Sequence, residues 1–154
     1  MGRLIIDEHW PAWLTGEFAR AVRANLSDIE AGRLEAAAKC AECSPLKAAR
    51  RLAAWIFADV PYQFDGDAHQ IAPWLECESR GYAACADAAA LAAACLIAAG
   101  HFGVKACYET VPGFPDYAHV RVHVAETLVE PWPHARRPVD SCTLLVEVRS
   151  LLDA

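Results

Sequence analysis

The chain has 154 residues, a net charge of −6 and 55% apolar content. That length supports one hydrophobic core, and that composition belongs to a folded globular protein rather than a disordered tract. A phosphate-tracking surface needs clustered lysine and arginine, so the acidic balance and the small doublets Arg50-Arg51 and Arg136-Arg137 argue against a nucleic-acid partner.

"MGRLIIDEHW" has neither the basic start nor the long apolar run of a secretory signal. The most apolar segment, Ala88 to Ala99, is too short to span a bilayer. The expectation is a soluble, cytoplasmic protein with no membrane partner. The sequence contains seven cysteines, an odd number, which in a reducing compartment act mostly as small apolar core residues. "CAEC" at 40–43 has the spacing of half a zinc site, but no second ligand pair follows at suitable spacing, and it ends a helical stretch rather than a strand. Neither metal nor cofactor is expected.

The first sixty residues read as helices. In "TGEFARAVRANLS" the residues Phe18, Ala21, Val22 and Leu26 share one helical face. "SDIEAGRLEAAAKC" follows, with Ser27 or Asp28 as its N-cap. Ser44 and Pro45 then open "SPLKAARRLAAWIFADV", with an apolar stripe of Leu46, Ala49, Leu52, Ala53, Ile56 and Phe57, and Pro61 ends it. Residues 61–80 read as a polar, aromatic loop with one short helical turn. "GYAACADAAALAAACLIAAG" (81–100) is a helix with almost no polar face, closed by Gly100, so it must be covered on every side.

Beyond Gly100 the apolar period becomes two. "VKACYETV" (104–111), "HVRVHVA" (119–125), "TLVEPW" (127–132) and "VDSCTLLVEVRS" (139–150) are candidate strands, the first two separated by "PGFPDY". The fold class is α+β: N-terminal helices and a central buried helix packed on an antiparallel sheet of three or four strands. The whole chain, 1–154, reads as one domain, with 1–44 a helical N-terminal extension and 45–150 the core.

Cys85 falls within the first turn of the buried helix, where free backbone N–H groups and the positive end of the macrodipole favour a thiolate and could hold an oxyanion. Cys95, in the helix interior, gains neither. A base must come from the six histidines. His119 starts a strand at the rim of the "VPGFPDY" loop and shares a strand face with Arg121 and His123, an arrangement that also suits a solvent-facing row. If Ala125-Glu126 is a hairpin turn, Val122 pairs with Val129 and Arg121 with Glu130, which sets Glu130 diagonally beside His119. Glu130 could orient the imidazole or pair with Arg121; Asp140 is the alternative third member.

"RGYAACADAAALAAACLIAAGHFGVKACYE", followed by "YAHVRVHV", resembles the transglutaminase-like superfamily of papain-like cysteine enzymes. There a glycine-containing turn leads the nucleophilic cysteine into a long apolar helix. A strand and then a histidine-led strand follow, and an acid before proline completes the triad. "DVPYQFDGD" is similar to the family's segment upstream of the cysteine, so the likeness spans roughly 45–142. Ala83 stands where the family has a second glycine, and "VEP" at 129–131 has Glu for the usual Asp.

The resemblance implies Cys85 as nucleophile, His119 as general base and then acid, and Glu130, or else Asp140, as orienter. Gln63, Gln70 and Trp74 are candidates for the oxyanion hole or substrate contact, and Asp87 for local support of the helix start. The implied activity is acyl transfer on an amide or peptide bond of a protein or peptide substrate, with hydrolysis ranked before transamidation, as in small single-domain members of phage and bacterial type. The competing reading is an inactive fold used as a protein-binding or phage-assembly module. The oligomeric state stays open.

Overall fold

The computed structural model describes residues 4–6, 12–63, 70–111, 114–132 and 143–153, with the strand residues 4–6, 109–111, 114–119 and 143–145 described by their backbone. The elements run β1 (Leu4–Ile6), α1 (Ala12–Glu30), α2 (Glu35–Cys40), α3 (Pro45–Asp59), α4 (Trp74–Arg80), α5 (Cys85–Ala98), β2 (Val104–Val111), β3 (Phe114–Val124), β4 (Thr127–Val129), β5 (Thr143–Glu147) and α6 (Val148–Leu152). The architecture is α+β. The strands form one sheet in the order β1-β5-β2-β3-β4, in which the last four pair antiparallel and β1 lies parallel to β5.

The N-terminal region departs from the all-helical expectation in two places. Leu4–Ile6 is an edge strand, because β5 supplies the partner that three apolar residues cannot advertise by themselves. Ser27 and Asp28 do not cap a second helix; α1 runs through them to Glu30. Leu26 and Ile29 keep packing on the core, and the break comes at Gly32, whose φ of +77° lets the Arg33 N–H reach back to the Asp28 carbonyl at 2.8 Å. The second helix is correspondingly short.

α1 buries Leu14, Phe18, Ala21 and Val22 in the same core that holds α5, so it is more than an extension laid on the surface. α3 starts at Pro45 behind Ser44 and buries Ala48, Ala49, Leu52 and Ile56. The two ends of its expected stripe are outside the core: Leu46 is 47% and Phe57 58% exposed.

α5 is the centre. Every residue from Asp87 to Leu96 is buried, between α1 on one side and the sheet on the other. Its alanines let both neighbours approach closely. It ends where Gly100 takes φ +86° and the His101 N–H returns to the Leu96 carbonyl at 3.0 Å. The sheet face toward it carries Val104, Ala106, Val120, Val122, Val124 and Val129.

β3 and β4 pair Val122 with Val129, the register read from the hairpin, and turn at Ala125 and Glu126 with φ of 46° and 66°. Pro131 offers no N–H to extend the ladder, so β4 stops short of the expected Trp132. β3 begins at Phe114, inside the expected loop. The last strand is shortened at its end, since Val148–Leu152 turns into α6 with Val148 and Leu151 buried. No helix among the described residues is long and apolar enough to cross a membrane.

Candidate active site

Cys85 is the first residue of α5, entered through extended Ala84. Three elements fix this entry. Tyr62 bridges to Ala83, with Gln63 N–H to the Ala83 carbonyl at 3.0 Å and Ala83 N–H to the Pro61 carbonyl at 3.1 Å. The Asp87 carboxylate accepts the Ala84 N–H at 2.9 Å, the reach-back half of a capping box, and the Ala72 N–H at 2.8 Å. Arg80, at the end of α4, closes on the same carboxylate at 2.6 Å. Asp87 thus ties the loop before α4, the end of α4 and the start of α5 to one point. Burial raises its pKa, while the two N–H donors and Arg80 pull the other way.

The Cys85 side opens on a cavity of about 30 Å³, also lined by Tyr62, Val120, Arg121, Glu130 and Trp132. That volume admits water and little more. The Tyr62 and Trp132 rings lie 5.3 Å apart, tilted by 51°. The structure therefore brings Cys85 and Glu130 to one cavity. His119 immediately precedes Val120, whose backbone N–H faces the Cys85 sulfur, and its backbone pairs with Glu109. Asp140 lies outside the described residues.

The helix start does not lower the Cys85 pKa as the sequence led one to expect. Burial pushes the thiol up to about 11, and the charge of Asp87 adds to this. The N–H groups of Val120, Ala86 and Cys85 itself oppose that rise but do not offset it. A helix terminus favours a thiolate by a few tenths to about two kcal/mol, whereas removing water from a thiolate costs more. Activation at Cys85 requires a further positive partner.

The other candidates are spread. Gln63 sits beside the strand-like entry to Cys85 with its side chain exposed, and Gln70 is exposed as well. Trp74 is a correction: it is fully buried in the core, and its indole N–H donates to Asp59 Oδ2 at 2.8 Å, so it does not reach the cavity. Its backbone N–H donates to Asn25 Oδ1 at 2.8 Å. Tyr62, Trp132 and Arg80 received no role from sequence reasoning. The signal for Tyr62 was present in "VPYQFD", and Arg80 directly precedes the turn to Cys85. Trp132 carried no such signal.

Away from this cavity, Cys40, Cys43, Cys77, Cys95 and Cys107 are free thiols, as is Cys85. Cys40 and Cys43 turn their sulfurs to the carbonyls of Ala36 and Cys40 at 3.3 and 3.4 Å. Among the described residues no group of three or more His, Cys, Asp or Glu is placed to hold a metal ion. His101 is held against the Ala41 carbonyl at 2.7 Å. No family model, curated protein or solved structure matches the chain.

Proposed function

We propose that this chain is a cysteine-dependent acyl-transfer enzyme of transglutaminase-like type, acting as a peptidase or amidase on a protein or peptide substrate. One observation carries the reading: Cys85, the first residue of a buried helix, and Glu130, an acid before proline, line one cavity beside the backbone of Val120. His119 is the next residue back along that strand, in the order Cys, His, acid. The six free thiols among the described residues suit a reducing compartment such as the cytoplasm.

In the proposed cycle the Cys85 proton passes to His119, and Glu130 orients and stabilises the imidazolium. The thiolate attacks the amide carbonyl carbon, and N–H groups at the start of α5 stabilise the resulting oxyanion. His119 returns the proton to the leaving amine as the C–N bond breaks, which leaves a thioester. Water, deprotonated by His119, attacks the thioester; the acid departs and the thiol is restored. The imidazolium is also the positive partner that a thiol near pKa 11 requires.

A second reading, a catalytically silent fold that binds a protein partner or serves phage assembly, is favoured by the elevated Cys85 pKa and the small cavity. Limiting iodoacetamide followed by mass mapping separates the two. The enzyme reading expects Cys85 to alkylate fastest near neutral pH, and His119→Ala to slow it. Equal rates at Cys85 and buried Cys95, indifferent to His119→Ala, would establish the silent fold.

A further inference from the structure

Tyr62 and Trp132 also line a second, wider groove of about 430 Å³, together with Phe57 and Asp59 at the end of α3. The groove adjoins the Cys85 cavity, since both are lined by these two aromatic residues. Its walls are mostly apolar and include three aromatic residues, with Phe57 58% exposed. Among the described residues lining it, Asp59 is the charged one.

Asp59 is the last residue of α3, at the negative end of the helix macrodipole, and the last turn of α3 holds no basic residue. Its indole donor Trp74 satisfies one oxygen without cancelling the charge. Glu78 of α4 hydrogen-bonds the same carboxylate, and lost hydration together with Asp59 raises the Glu78 pKa. The Asp59–Glu78 pair, sharing a proton, and a helix C-terminus therefore place negative potential at one end of the groove.

We propose that this groove is a specificity subsite for a basic side chain, lysine or arginine, of a peptide bound across Cys85. The inference rests on Cys85 being the nucleophile and adds the substrate class. A basic side chain matches both halves of the groove. Its methylene stem packs along Phe57 and Tyr62, its cationic head meets the face of an aromatic ring, and its charge reaches the Asp59–Glu78 pair. A wholly apolar side chain would cover Asp59 without giving it a partner. A hard metal ion needs several oxygen ligands, and Asp59 alone lines the groove with a carboxylate.

The test uses the full chain and three short peptidyl chloromethyl ketones carrying lysine, norleucine or glutamate next to the reactive group. The expected result is Cys85 alkylated about tenfold faster by the lysine probe than by the norleucine probe, with glutamate slowest. In Asp59→Asn, whose amide oxygen still accepts the Trp74 N–H, the lysine-to-norleucine ratio falls toward one. Glu78→Gln, at an exposed position, lowers the ratio partway. Equal rates for all three probes, with Cys85 still labelled first by iodoacetamide, would overturn the subsite and leave the catalytic reading standing. A Cys85 inert to iodoacetamide and to every probe overturns both.

Discussion

At its first residue α5 sets Cys85 against a cavity shared with Tyr62, Glu130 and Trp132; further along the same helix, Cys95 is fully buried in the core. Burial pushes the first thiol up to about 11 and the second up to about 12. The two cysteines thus differ little in intrinsic acidity, although only one sits at a helix start. What separates them is the company each keeps. Cys85 has a cavity, a carboxylate and a histidine-bearing strand within one locality, whereas Cys95 has packing. A helix N-terminus by itself does not make a reactive thiol.

The largest expected effect tests what holds the Cys85 end in place. Asp87→Ala removes the ion pair with Arg80 and the acceptor of the Ala84 and Ala72 N–H groups, and should destabilise the fold by about 3–5 kcal/mol in urea unfolding followed by tryptophan fluorescence. A loss under about 1 kcal/mol would mean that strand and core packing, not this carboxylate, fix the helix start.

Next comes the contrast in reactivity. His119→Ala removes the proposed proton acceptor, so Cys85 alkylation in that variant should rise about tenfold per pH unit from 7 to 10, as for a thiol that titrates above this range. The parent chain should show a flatter profile and a rate near pH 7 higher by about a hundredfold. Parallel profiles for the two would erase the distinction between Cys85 and Cys95.

The packed end responds to volume. Ala90 is completely buried, and Ala90→Leu should cost about 1–3 kcal/mol by forcing α1 or the sheet away, read as a lower urea midpoint at unchanged slope. At the far end of α5, His101→Ala removes the bond to the Ala41 carbonyl and should cost about 0.5–1.5 kcal/mol, the smallest change in this group. If His101→Ala cost as much as Asp87→Ala, the two ends of α5 would be equally pinned.

Much of this fold was legible because local chemistry and tertiary context agree. The all-apolar run from Ala88 has no stable place except a covered helix, and the alternation of Val120, Val122 and Val124 can only line a buried sheet face. The two-residue turn at Ala125-Glu126 then determines which residues oppose each other. Legibility failed where a partner decides. Leu4–Ile6 is a strand because β5 lies beside it, and Phe57 lies outside the core because the buried stripe runs through Leu52, Ile56 and Val60. Trp74 looked like a loop aromatic but is a core anchor, since Asp59 and Asn25 take up its two N–H groups.

The sequence by itself determined the class of fold, the central helix with Cys85 at its start, and the β3–β4 register that pairs Val122 with Val129, because periodicity and turn chemistry act over a few residues. Only the tertiary structure decided that Cys85 and Glu130 share a cavity, that Asp87 is tied to Arg80 and Ala72, and that Tyr62 and Trp132 line both this cavity and a wider groove beside Asp59. It also decided the acidity of Cys85: the helix start acts locally and favours the thiolate, but burial comes from the whole fold and outweighs it.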